Sequence, residues 1–228
     1  MRIDVWSDIA CPFCYIGKRH LEAALAQSDA QAEVVWHSFE LDPSPRDSRP
    51  EGDIVAVLMA KYSQSRPQVE AMVERVAAMG AVSGLQMRLR DCVRANTFDA
   101  HRLLHLAAAH GRQDAAKERL LAAYFTEGAD LEDKTTLSAL MADAGLPADA
   151  VAKTLGSDRY ADAVRRDEQQ AMQIGVRGVP FFVFDQRFAV SGAQPVSVFQ
   201  QAIEKCHTEA APTPPQGGPS CEADHCEV

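Results

Sequence analysis

Two cysteines separated only by Pro12 and Phe13, straight after the apolar run Ile3-Asp4-Val5-Trp6, restrict what this chain can fold into more than any other feature. A dithiol at that spacing suits exchange chemistry where a strand delivers it to the start of a helix. There the unpaired backbone N–H groups and the positive end of the helix dipole stabilise the thiolate, which is the nucleophile. Ile16, Leu21, Ala24 and Leu25 fall near helical spacing on the following segment, which runs to about Gln27. Pro12 suits its first turn. Cys11, at an exposed helix start, is expected to attack, and Cys14, one turn in, to face the domain and resolve the mixed disulfide. The alternatives are a half zinc site and a chance pair of buried cysteines. Zinc requires a second pair, and Cys221 and Cys226 are more widely spaced and lie in the tail.

Strand signals sit towards both ends of the chain and helical ones between them. Residues 2–6 and 33–39 (Val34, Val35, Trp36, Phe39) read as short strands, whereas the period is helical from about residue 53 to 174. Ala100, Leu103, Leu104, Ala107 and Ala108 mark an amphipathic helix ending at Gly111, and Tyr160, Ala163, Val164, Asp167 and Ala171 keep a looser helical beat up to Gly175. Phe181-Phe182-Val183-Phe184 and Phe188-Ala189-Val190 flank Asp185-Gln186-Arg187 and read as a hairpin. Phe199, Ala202, Ile203 and Cys206 share one face of a closing helix. With 228 residues and 46% hydrophobic content, the chain can bury a substantial core. A βαβ unit interrupted by a long helical block reads as one discontinuous domain with a second inserted. The expected parts are residues 1–50 and 175–207 of the first, 51–174 of the second, and a tail, 208–228.

The net charge of −9, with basic residues scattered, disfavours a sequence-independent nucleic-acid binder. Asp4 and Asp8 interrupt any apolar stretch of a secretory signal, and no run approaches the roughly 18 apolar residues of a membrane span. The expectation is a cytoplasmic protein with no membrane or nucleic-acid partner. In a compartment that keeps thiols reduced, six cysteines point to catalysis, redox sensing or metal binding before a disulfide framework.

Ser7-Asp8-Ile9-Ala10-Cys11-Pro12-Phe13-Cys14-Tyr15-Ile16-Gly17 resembles the active-site segment of the FrnE-like branch of the DsbA family of thiol–disulfide oxidoreductases. Trp36-His37-Ser38-Phe39-Glu40-Leu41 resembles that branch's second strand and its exit, and Asn96-Thr97-Phe98-Asp99-Ala100-His101-Arg102-Leu103 its helical-domain motif. Gly178-Val179-Pro180-Phe181-Phe182 resembles its cis-proline loop, so the resemblance covers about residues 1–206. It implies an α/β, thioredoxin-like fold with a large all-helical domain inserted between the N-terminal βαβ and C-terminal ββα halves. It also implies a thiol–disulfide oxidoreductase with disulfide isomerase capability that uses no cofactor. The implied partners are protein thiols and disulfides, with a small-molecule thiol or a thioredoxin-type electron donor. Phe13 departs from DsbA itself, which has histidine there. Phenylalanine cannot lower the pKa of Cys11 as a cation would, so a less oxidising couple is expected, able to reduce and isomerise disulfides. Two alternatives stand beside this reading. One is an isomerase or transferase like the related 2-hydroxychromene-2-carboxylate isomerases and kappa-class glutathione transferases, whose branch resembles this one with serine in place of Cys11. The other is a soft-metal binding or sensing protein.

The remaining candidates surround the dithiol. The resemblance implies a cis Val179–Pro180 bond, which leaves the backbone groups of Val179 to pair with an extended substrate beside the sulfur. Pro12, Phe13, Val179 and Pro180 are thus the expected substrate-binding residues. Asp8 reads as a helix-capping acid or as the base that takes the proton of Cys14. Trp6, Trp36 and Phe39 read as core before substrate rim, whereas Phe13 is forced near the surface. His101 and His105 have the i, i+4 spacing of metal ligands but no acidic or cysteine companion at a recognisable offset, so no metal is expected there. The resemblance places Asn96 and His101 in a possible cleft, with packing and capping as the alternatives. Cys92 and Cys206 read as small buried hydrophobes. After the Pro/Gly-rich linker that begins at Ala211, Cys221 and Cys226 read as an accessory redox pair, or with His225 as ligands of a soft metal.

Overall fold

The computed structural model describes residues 1–45 and 53–208. Cys221, His225 and Cys226 therefore lie outside the described residues. The chain runs β1 (Arg2–Ser7), α1 (Pro12–Ala26), β2 (Glu33–Ser38), then α2 (Ile54–Tyr62), α3 (Arg66–Val82), α4 (Phe98–Ala109) and α5 (Gln113–Ala122). It continues through α6 (Lys134–Asp143), α7 (Ala148–Leu155) and α8 (Ala161–Gln173) to β3 (Phe181–Phe184), β4 (Phe188–Ser191) and α9 (Val196–Thr208). The order in the sheet is β2-β1-β3-β4, with β1 parallel to β2 and antiparallel to β3. This is the thioredoxin-like α/β arrangement, with the block α2 to α8 inserted between β2 and β3. Among the described residues no helix is long and apolar enough to cross a membrane.

The period-2 pattern of the central strands divides the core. Ile3 and Val5 of β1 and Phe182 and Phe184 of β3 pack with Leu21 of α1 and Phe199 and Ile203 of α9. Trp6, Phe181 and Val183 point to the opposite face, against Ala171 of α8 and Val176. A larger cluster fills the helical block and reaches Ile9, Tyr15 and Ile16, so α1 serves both cores, this one by its first turns and the sheet's by Leu21 and Ala24.

Two polar seams join the block to the sheet. On the edge strand β2, the Gln113 side chain accepts from Trp36 N at 3.0 Å and donates to Trp36 O at 2.8 Å. The amide thus covers backbone groups that an open edge would expose. On the other face, His37 is held between Asp4 (2.7 Å) and Asp167 of α8 (3.0 Å) and stacks on Trp6. Asp167 also accepts from Ser38 N at 2.8 Å and meets His105 at 3.1 Å.

Candidate active site

Cys11 occupies the N-cap of α1 in extended conformation, and Pro12 begins the helix, where the N–H that proline lacks would have had no helical partner. Its thiol donates to the carbonyl of Val179 at 3.5 Å, and the Val179–Pro180 bond is cis. A hydrogen bond from the Cys14 side chain holds the Cys11 thiol below its ordinary value against the opposing effect of burial, helped by the backbone N–H groups of Cys14 and Phe13. Cys14 is pushed well above, first by burial and then by hydrogen bonding to Cys11. One member of the pair is therefore prepared to be a thiolate and the other to keep its proton.

Cys11 is not at an exposed position as the spacing suggests. It is only 4% exposed, because it forms part of a cavity wall and the cis-proline loop lies across its sulfur.

Behind the dithiol lies a set of buried polar groups drawn from both parts of the fold. Asp8 does not cap α1; the cap position belongs to Cys11, which makes no side-chain capping bond. The Asp8 carboxylate instead accepts from Ala10 N (3.3 Å), Leu41 N (2.8 Å), Thr97 Oγ1 (2.8 Å) and His101 Nε2 (3.4 Å). Burial drives its pKa up, but the bonds from His101, Leu41 and Thr97 prevail and keep it below the usual carboxylate value. Burial likewise lowers His101, so the imidazole is neutral beside the carboxylate. Lys117 of α5 is fully buried, with Nζ 3.4 Å from the carbonyl of Ser7 and 5.6 Å from the centroid of Trp36. Burial brings its pKa down to about 8, partly offset by Cys14 and Asp8. Nothing in its local pattern, Ala115-Ala116-Lys117-Glu118, separates it from a solvated helix lysine, and it was not legible in the sequence.

A cavity of about 250 Å³ adjoins Cys11. Its wall is formed by Ala10, Pro12, Phe13 and Leu41 on the sheet side and by residues of α2 and α3, Tyr124 and Phe125 on the other. Phe13, Leu41 and Tyr62 are exposed at its rim. The sequence did carry a signal for the far wall: Ile54 to Ala60 is apolar without interruption, yet only Val55 of α2 is buried.

The structure places the other candidates as follows. Pro12 and Phe13 line the cavity, whereas Val179 meets the sulfur of Cys11 through its carbonyl, and Val179 and Pro180 are not among the lining residues. His101 is wholly buried against Asp8 and lines no open cleft, while Asn96 is half-buried and accepts from Phe98 N at 2.9 Å. Trp6 and Trp36 are core, and Phe39 packs beside Trp6. Cys206 packs on the α9 core, whereas Cys92 is half-buried on the cavity wall, with its thiol pushed up to about 12 by burial. Among the described residues no group of three or more His, Cys, Asp or Glu side chains could hold a metal ion.

Comparison with known proteins bears on the family and the fold. A probable DsbA oxidoreductase from Streptomyces coelicolor is 41% identical, with a TM-score of 0.89 over 100% of this chain and 99% of that one. The 2-hydroxychromene-2-carboxylate isomerase structure is 14% identical, with a TM-score of 0.70 over 92% of this chain and 97% of that one, and shares the fold. The uncharacterized protein YwbO of Bacillus subtilis is 27% identical over 89% of this chain and 96% of its own. The model of the DSBA-like thioredoxin domain matches residues 2–204, and the chain belongs to that family.

Proposed function

We propose that the protein catalyses thiol–disulfide exchange on protein disulfides, as a reductase and isomerase in a thiol-reducing, cytoplasmic setting. The observation that carries this reading is the asymmetry of the pair, with the Cys11 thiol lowered at the helix start and the Cys14 thiol raised behind it. The Cys11 thiolate attacks one substrate sulfur. A Cys11–substrate S–S bond forms, the substrate bond breaks, and the other substrate sulfur leaves as thiolate. Cys14 then gives up its proton and attacks Cys11, closing the Cys11–Cys14 disulfide and releasing the second substrate thiol. The substrate gains two electrons and the dithiol loses them; a small-molecule thiol or thioredoxin-type donor restores it. Isomerisation results when a substrate thiol attacks the mixed disulfide before Cys14 does.

The buried Lys117 favours the Cys14 thiolate needed in the second step, and the Asp8 carboxylate opposes the charge on Cys11. Phe13 supports the reducing direction, since it supplies no cation to stabilise the Cys11 thiolate. Cys92, its thiol donating to the Tyr124 carbonyl at 3.5 Å, is inert in such a setting. Cys221 and Cys226 are assigned the part of a second redox pair exchanging with Cys11. Truncation after Gly217 should then change the exchange rate, and unchanged kinetics would remove that assignment. The core reading is tested by dithiol-driven reduction of a model protein disulfide. Cys11→Ser should abolish turnover and Cys14→Ser should accumulate mixed disulfide, whereas retained turnover in Cys11→Ser would refute the assignment.

A further inference from the structure

Under the dithiol, the end of β1 carries a polar group that the resting fold does not use. Ser7 is wholly buried, and its Oγ has no hydrogen-bond partner among the described residues. A buried hydroxyl left in this way costs stability, so its position calls for a reason. Two sequence periods place it. Ile3, Val5 and Ser7 alternate onto one face of β1, the face against which Leu21 of α1 packs, and Cys14 lies on the same side of α1 as Leu21, seven residues earlier. Because β1 and β2 are parallel, α1 runs back over the sheet between them, and its first turn lies at the Ser7 end of β1. Burial and then Cys11 push the Cys14 thiol up, while Lys117 and the Ser7 hydroxyl pull it the other way. Lys117 Nζ also donates to the backbone carbonyl of Ser7 at 3.4 Å, so Ser7 stands between the buried cation and the buried sulfur.

Resting on the exchange reading above, we propose that Ser7 is the hydrogen-bond donor to the resolving thiolate: its hydroxyl stays unspent while Cys14 is a thiol and donates to the Cys14 sulfur once that sulfur is charged. A neutral thiol is a weak acceptor. A thiolate is a strong one, and hydrogen bonds to charged groups are about twice as strong as those between neutral groups. The donor is in place before the charge forms, so little has to rearrange when it does. In the resolving step Cys14 gives its proton to solvent, the Cys11–substrate S–S bond breaks and the Cys11–Cys14 bond forms. The departing substrate sulfur leaves with the electron pair and takes a proton from solvent. Ser7 neither gains nor loses a proton, and its hydrogen bond is released when Cys14 becomes neutral in the new disulfide.

The test follows the two steps separately, in single-turnover assays of the full reduced chain with a model protein disulfide across a range of pH. Ser7→Ala should leave mixed-disulfide formation at Cys11 unchanged and slow its resolution by about threefold or more at neutral pH. Losing a hydrogen bond to a charged group lowers the thiolate fraction by about tenfold or more, and the higher nucleophilicity of the remaining thiolate recovers about threefold of that. The deficit should shrink as pH rises and Cys14 ionises in both proteins. Cys11, Asp8, His101 and Lys117, the titratable groups around this site, are all kept in the variant, so a changed profile reports the hydroxyl. Ser7→Thr, which retains the hydroxyl, should recover most of the rate, with circular dichroism verifying the fold. Thermal unfolding of the reduced protein gives an independent readout: Ser7→Ala removes an unpartnered hydroxyl, so its melting temperature should be unchanged or higher. A lower one would make Ser7 a structural residue and overturn the proposal. Wild-type resolution at every pH in Ser7→Ala would overturn it too, leaving the exchange reading intact. Equal slowing of both steps, not relieved in Ser7→Thr, would reduce Ser7 to packing. Absence of any mixed disulfide at Cys11 in the wild-type chain would instead overturn the exchange reading itself.

Discussion

Burying Lys117 works against stability, and its place behind Cys14 explains why a fold would keep it. Its pKa falls from 10.5 to about 8 through burial, so holding it charged at neutral pH costs about 3 kcal/mol. Below about pH 8 the amine is protonated in both folded and unfolded states, and the fold bears the whole cost. Between about 8 and 10.5 the folded state loses the proton first, and the cost fades. Lys117→Met should therefore raise unfolding stability by up to about 3 kcal/mol below pH 8, with the gain vanishing towards pH 10.5. The same variant should slow resolution by Cys14 about tenfold or more in single-turnover assays, because its thiolate loses the nearby cation. A variant with unchanged resolution would limit Lys117 to packing. Phe13→His tests the opposite side of the couple. A cation beside Cys11 should stabilise its thiolate and raise the reduction potential by roughly 30 mV for each tenfold change, measured against a glutathione buffer.

At the scale of elements, the active site depends on how closely α1 approaches β3. A Cβ on Gly17 would lie 3.0 Å from Cγ of Pro180 and 3.1 Å from Cζ of Phe182, so this face of α1 rests on the cis-proline loop. Gly17→Val should overpack that contact, cost about 1–3 kcal/mol and slow exchange by displacing Cys11 from Val179. Thermal unfolding and single-turnover rates together check it, and wild-type values in both would show that the loop moves freely. Across α1, Tyr15 donates to Glu118 at 2.8 Å, while Arg19 also pairs with Glu118 and Lys18 meets Asp114 at 3.4 Å and Glu118 at 3.1 Å, tying α1 to α5. These elements differ in how legible they were. The strands, the dithiol helix and the closing helix carry period-2 or helical patterns that show directly in the residues. The burial of Cys11, the part played by Lys117 and the cavity between α2, α3 and α1 arise where segments distant in sequence meet. Asp8 illustrates the limit: its place before the helix reads as a cap, but three of its partners, Leu41, Thr97 and His101, come from elsewhere in the chain.

For the molecule as a whole, the question is what keeps the helical block on the sheet, and the seam at His37 gives a pH-dependent answer. Burial lowers the pKa of His37, but the bonds to Asp167 and Asp4 prevail and raise it above its ordinary value. Nearby, Glu40 is raised to about 7, chiefly by burial, with Arg165 opposing and Glu168 adding to the shift. Both groups hold a proton more tightly in the folded state, so their stabilising contribution is complete at acidic pH and lost as pH rises through their folded pKa values. The melting temperature should therefore fall as pH rises, from about 4.5 to 7 through Glu40 and from about 6.5 upward through His37, by about 2–4 °C for each kcal/mol lost, and a His37→Gln/Glu40→Gln double variant should show a flatter profile. A profile of the same slope in that variant would place the pH dependence elsewhere. All of this framework serves one chemical claim, that the fold makes Cys11 the thiolate and Cys14 the reserve thiol. The most direct test is the pH dependence of alkylation of the reduced protein, read at each cysteine by mass spectrometry. Cys11 should react with a midpoint below that of an ordinary thiol, while Cys14 stays unmodified until well above it; alkylation of Cys14 first, or of both at an ordinary thiol midpoint, would contradict the account.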